Sequence, residues 1–171
     1  ENSQNINFLI YNNGVTNDQC GFKFNSGGFN RVTGWAMRLQ KVGSTTSRSY
    51  SMDLYLQDGS GNPTGSAIAT KTGTGATIGD YRNNNRENLF IQFDTPATVA
   101  LNTDYIIVLK ETDTGGSTTN SLRVFGQAST GAGSRSTSDG VNFSAGFTGV
   151  SGSATQACYV YGYFNYTNGR A

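Results

Sequence analysis

Side-chain polarity in this chain alternates with a period of two, and that pattern decides most of what it can fold into. Tyr50, Met52, Leu54 and Leu56 alternate with Ser51, Asp53, Tyr55 and Gln57, and upstream Trp35, Met37 and Leu39 alternate with Ala36, Arg38 and Gln40. Such rows put apolar groups on one face of an extended strand and polar groups on the other. Asn88 to Phe93 repeats the pattern, as does the last segment, where Cys158, Val160, Gly162 and Phe164 alternate with Tyr159, Tyr161, Tyr163 and Asn165. Tyr105-Ile-Ile-Val-Leu109 is apolar throughout, as a strand covered on both faces would be. Gly, Asn, Ser and Thr make up nearly half of the 171 residues and gather between these runs, most densely in Asp58-Gly-Ser-Gly-Asn-Pro-Thr-Gly65. With 35% hydrophobic and 13% charged residues, the chain has no segment of helical period. The expectation is one domain over residues 1–171, an antiparallel β-sandwich of jelly-roll type with about eight to ten short strands.

Partners and faces follow from the same rows. The link from Gly43 to Arg48 is turn-like, so its two flanking runs should form a hairpin with Arg38 opposite Asp53, Leu39 opposite Met52, Met37 opposite Leu54 and Trp35 opposite Leu56. This hairpin would present Arg38, Gln40, Asp53, Tyr55 and Gln57 outward, and the last strand would present Tyr159, Tyr161 and Tyr163. Rings beside amides and carboxylates suit stacking on sugars and hydrogen bonding to their hydroxyls, and equally suit a subunit interface. Trp35 belongs to the inward row and so to the core. The polar stretches 72–85 and 129–140 read as loops. Within residues 1–12, Ile6, Phe8, Leu9 and Ile10 form an apolar strand that must be covered, by its own sheet or by the edge of a neighbouring subunit. Cys20 and Cys158 are the only thiols, and a disulfide joining the first and last strands is the leading reading, two buried thiols the alternative.

Several function classes fall away. There is no His to act as general base, no Lys stands in a Ser-x-x-Lys setting, and acids such as Asp53, Asp94 and Asp104 are scattered singly at turns and strand ends. No enzyme is expected. Twelve Lys+Arg against eleven Asp+Glu, without a basic run, give no footprint for nucleic acid. No apolar stretch has the length of a membrane span. Asp58, Ser60 and Asn62 place oxygen side chains at alternate positions, the start of a calcium-loop pattern, but the downstream Glu is missing and Pro63 interrupts the spacing. A plain turn is expected there, structural calcium being the alternative and no other cofactor being implied. Asn142-Phe-Ser144 and Asn165-Tyr-Thr167 match the N-glycosylation pattern, which matters only in a host that glycosylates exported proteins. The first residue is Glu rather than Met, as in an exported chain whose leader has been removed.

The stretches Gly34-Trp-Ala-Met-Arg-Leu-Gln-Lys-Val-Gly43, Met52-Asp-Leu-Tyr-Leu-Gln-Asp-Gly-Ser-Gly-Asn-Pro-Thr-Gly65 and Phe90-Ile-Gln-Phe-Asp-Thr-Pro-Ala-Thr-Val-Ala-Leu-Asn-Thr-Asp-Tyr-Ile-Ile-Val-Leu109 resemble the jelly-roll "choice-of-anchor" or carbohydrate-binding-like modules of bacterial surface proteins and phage tail or fibre proteins. The resemblance covers roughly Val32 to Leu109. It implies an exported, non-enzymatic module located outside the cell, on its surface or on a virion. Two roles are expected: a self-associating structural or adhesive subunit of a virion fibre, decoration layer or cell-surface filament, or alternatively a carbohydrate-binding module that recognises glycans through exposed tyrosines.

Overall fold

The computed structural model describes residues 5–37, 39–43, 47–74, 89–128, 134–137, 144–145, 154–156 and 158–163. They form β1 (Asn5–Ile10), β2 (Gln19–Asn25), β3 (Arg31–Met37), β4 (Leu39–Val42), β5 (Ser49–Gln57), β6 (Pro63–Thr74), β7 (Leu89–Thr98), β8 (Asp104–Glu111), β9 (Ser121–Ala128), β10 (Ser134–Thr137), β11 (Ser144–Ala145), β12 (Ala154–Gln156) and β13 (Cys158–Tyr163). Every pairing between them is antiparallel. One layer is a six-stranded sheet in the order β11-β10-β2-β8-β5-β6. The other consists of β1-β9-β12, with β4 also on β9, and of β13-β3-β7. β3 with β4, and β12 with β13, run through both parts of this second layer.

If β3 and β4 are counted as one strand, the pairings are nested: β1 with β9, β2 with β8, β3 with β7 and β5 with β6. A long hairpin folded over on itself gives this arrangement, and it is the jelly roll that the alternating rows predict. β10 and β11 extend the edge beyond β2, and β12 and β13 lie beside β9 and β3.

The expected hairpin between the Trp35 and Tyr50 runs does not form. β3 pairs with β7 and β13, β4 pairs with β9, and β5 pairs with β6 and β8 in the opposite layer. Both rows are apolar inward, so alternation requires that they face one core, and two facing layers meet that requirement as well as one hairpin does. β4 and β5 therefore lie in opposite layers. Asp53 is paired not with Arg38, which lies outside the described residues, but with Lys110 of β8. Leu56 leaves the inward row and is exposed, because the β5–β6 ladder jumps from Leu54–Ala69 to Leu56–Thr64 and swells around three extra residues of β6. Pro63–Thr74 is a longer strand than the turn-rich sequence suggests, and part of the passage 129–140 is strand β10.

The core lies between the layers. Phe22, Tyr105, Ile107, Leu109, Tyr50, Met52 and Leu54 of the six-stranded sheet meet Val32, Trp35, Met37, Leu39, Ile91, Phe93, Leu122 and Val124 of the other layer, with Phe8 and Ile10 of β1. Trp35 is fully buried, its ring stacked on Phe22 of the opposite layer at 6.4 Å between centroids. β8 is covered on both sides, as expected, since Ile106 and Val108 form a separate buried cluster with Tyr55.

A buried ion pair closes one end of the sandwich. Arg48 pairs with Glu111, whose side chain is wholly buried, and the Asn12 N–H donates to the other Glu111 carboxylate oxygen at 2.7 Å. The cluster ties the start of β5 and the end of β8 to the loop after β1. Removing the cation strands a charge away from water, so Arg48→Met should lower the urea unfolding free energy by about 3–5 kcal/mol, more than Glu111→Gln, which leaves a guanidinium that reaches solvent. An equal or smaller loss for Arg48→Met would contradict this.

In the same loop Asp18 is pushed from 3.8 to about 6, chiefly by burial, with a hydrogen bond from Tyr11 working the other way. The folded carboxyl keeps its proton to higher pH than the unfolded one, so stability falls as pH rises from about 4 to 6. Asp18→Asn should remove that fall and be the more stable form at pH 7, in urea melts across this range. Parallel pH profiles of the two proteins would reject it.

Candidate functional site

The expected outward cluster is dispersed. Gln40 lies on β4, where its side-chain oxygen accepts from Arg123 of β9 at 3.3 Å. Asp53, Tyr55 and Gln57 lie on β5 in the opposite layer. Asp53 is only 3% exposed and its capacity is used internally: Ser51 and Tyr55 donate to it at 3.2 Å, and the Lys110 ammonium sits 2.7 Å away. Burial opposes the Lys110 charge, but the Asp53 hydrogen bond and negative charge, with the Tyr55 hydroxyl, outweigh it and hold the lysine above its ordinary pKa. Burial, then the Asp53 charge, raises the Tyr55 phenol. These groups brace the sheet face over Ile106 and Val108.

The Asp58 loop closes on itself. One Asp58 oxygen accepts from the Ser60 N–H at 2.9 Å and the Asn62 N–H at 2.8 Å, and the other from the Asn62 amide at 3.2 Å. Those donors, the Asn62 backbone foremost, hold the Asp58 carboxyl below the usual carboxylate range. The loop thus turns N–H groups toward the carboxylate, where a cation site would gather oxygens. Among the described residues no three acidic or Cys side chains converge.

β1 pairs along its whole length with β9 of its own chain, from Asn5–Gln127 to Ile10–Leu122. Phe8 and Ile10 are buried, Leu9 is half-buried, and the side chain of Ile6 lies outside the described residues. Cys20 is buried on β2, the second strand rather than the first, and Cys158 stands opposite Met37 in the facing layer. Its side chain lies outside the described residues, and a bridge between the two would have to span the layers. Asn142 and Asn165 also lie outside the described residues.

One expected group does come together, on the outer face of β13-β3-β7. The registers place Val160, Trp35 and Ile91 in one row directed into the core. The next row, Tyr161, Gly34 and Gln92, therefore faces out, as does Tyr163 opposite Arg31. Tyr161 and Tyr163 are 49% and 45% exposed, and Phe90 of β7 is 43% exposed. Phe90 and Tyr161 meet edge to face at 4.9 Å and 67°. The side chain of Tyr159, one step along β13, lies outside the described residues.

Gly34 makes the meeting of the two rings possible. A Cβ there would stand 2.2 Å from the Ile91 carbonyl oxygen and 3.0 Å from the Phe90 ring. In the ladder with β13, β3 bulges at Thr33, whereas in the ladder with β7 the surplus residues lie on β7, between Gln92 and Ala97; the Thr33 hydroxyl donates to the Tyr161 carbonyl at 3.0 Å, fixing the bulge toward β13. At the other side of that bulge Gly162 admits the Phe29 ring, which a Cβ would approach to 2.6 Å. Sequence reasoning finds Tyr161 and Tyr163 but misses Phe90, Gly34 and Arg31. Their signals are present: a large ring in the outward phase of an alternating strand, and a glycine in a strand interior.

Compared with known proteins, the chain matches no family model, no curated protein and no solved structure.

Because the obstacle at position 34 is backbone, Gly34→Ala should destabilise the protein by about 1–3 kcal/mol in urea unfolding. A neutral substitution would show that the rings do not depend on a bare backbone beneath them.

Proposed function

We propose that this chain is a non-catalytic, exported adhesive module, and that Phe90, Tyr161 and Tyr163 form its contact surface for carbohydrate. The observation that carries the reading is the grouping of three of the large exposed apolar side chains on one sheet face. Rings are costly to leave in water, and a cluster of them marks a contact surface rather than chance exposure. The apolar face of a pyranose matches such a surface, and Gln92, Thr33 and the tyrosine hydroxyls at its border can bond sugar hydroxyls. The resemblance to carbohydrate-binding-like jelly rolls of bacterial surface and phage fibre proteins points the same way.

A second reading, a structural subunit of a virion fibre or cell-surface filament, draws on β6. This strand is twelve residues long, largely exposed, and paired only with β5 among the described residues. Its ladder is interrupted by the swelling opposite Tyr55, and Lys71 forms an ion pair with Asp94 at its side. Both features blunt an edge against strand addition, so adhesion is the better supported role.

On a glycan array the parent protein should retain a subset of sugars, and Tyr161→Ala and Phe90→Ala should each weaken that binding by about tenfold or more, about 1.4 kcal/mol, with little change in melting temperature because both rings are exposed. An array without binding, or variants that bind like the parent, would refute the assignment.

A further inference from the structure

We infer that the preferred ligand is an acidic glycan, whose sugar carboxylate is held by Arg31 while its ring lies on Tyr161 and Phe90. The inference rests on the carbohydrate reading above and adds the class of sugar. Arg31 is the register partner of Tyr163 on β13, two positions along from the Tyr161–Gly34 pair, and so shares the face of the rings. Directly opposed residues in an antiparallel ladder stand about 4.5–5.5 Å apart at Cβ, which sets the guanidinium beside the end of the aromatic surface.

The charge on this face is unbalanced. Among the described residues at its register positions none is acidic, while Arg31 is cationic. Asp94, the acid of β7, is turned to the side of the sandwich where Lys71 of the other layer pairs with it. Among the described residues Arg31 makes one hydrogen bond, from Nη1 to the adjacent Asn30 carbonyl at 3.0 Å. That bond steadies the guanidinium and leaves most of its five donors available. A planar fork next to apolar rings matches a carboxylate carried on a pyranose, because the charge-assisted bonds form in the same plane that orients the ring for stacking. A neutral sugar would leave that charge without a partner.

The chemistry is common to uronic and sialic acids, and the test separates them. Isothermal titration of the full chain would use tetragalacturonate and its carboxyl-reduced form, and sialyllactose and lactose. At least one acidic sugar should bind about tenfold or more tighter than its neutral counterpart, and should lose that advantage in Arg31→Gln and with rising salt. Arg31→Lys should recover only part of it, because an ammonium keeps the charge without the fork. The carboxyl-reduced sugar makes the same comparison without altering the protein. Equal binding of acidic and neutral sugars would overturn the inference and leave the carbohydrate reading in place. Acid preference that survives Arg31→Gln would overturn the role of Arg31. Absence of binding to these sugars together with an empty glycan array would remove both.

Discussion

The arrangement depends on the burial of Trp35 against Phe22. This contact joins the two layers and fixes which way β3 faces, and β3 is the central strand of the sheet that carries the rings. With Trp35 inward, Val160 and Ile91 on the flanking strands are held inward by register, and the neighbouring row of Tyr161, Gly34 and Gln92 must face water. A slip of one residue would drive Tyr161 into the core and expose Trp35, a change that a buried ring of this size does not allow. The exposed aromatic surface is thus the reverse side of the core, placed by the same alternation.

Two departures from ideal pairing shape that surface. The bulge at Thr33 shifts the register between Gly34 and Val32, so that Arg31 and Tyr163 share the outer face with Tyr161. The bare backbone at Gly34 lets Phe90 lean across β3 to reach a ring on β13. A sheet of regular residues would keep the two rings apart on separate strands. Small residues and an irregular ladder thus bring the two rings together on one face.

The layered fold was legible because its signal is local. Alternation in Trp35 to Leu39, Tyr50 to Leu54 and Cys158 to Phe164 assigns strands and faces, and the all-apolar run 105–109 announces a strand covered on both sides. Partners were less legible. Asp53 and Arg38 match in charge and phase, yet Asp53 pairs with Lys110, more than fifty residues away, because polarity specifies a face and not a neighbour. The strand limits of β6 and β10 were hidden by Gly, Ser and Thr, which serve turns and exposed edges alike. Of the site, the tyrosines of β13 stood out, whereas Phe90 and Arg31 gained meaning only when β7 and β3 were set beside them. The charge pair of Arg48 and Glu111 could not be read at all, since it joins the start of β5 to the end of β8, which only the β5–β8 pairing brings to one end.

The most direct measurement is an aromatic-ring NMR spectrum of protein labelled at Phe and Tyr, followed during titration with an acidic oligosaccharide. Shifts confined to the rings of Phe90, Tyr161 and Tyr163, with those of the buried Tyr50 and Tyr105 unmoved, are the result this account predicts. Shifts centred on other rings, or a spectrum that does not change at saturating sugar, would contradict it.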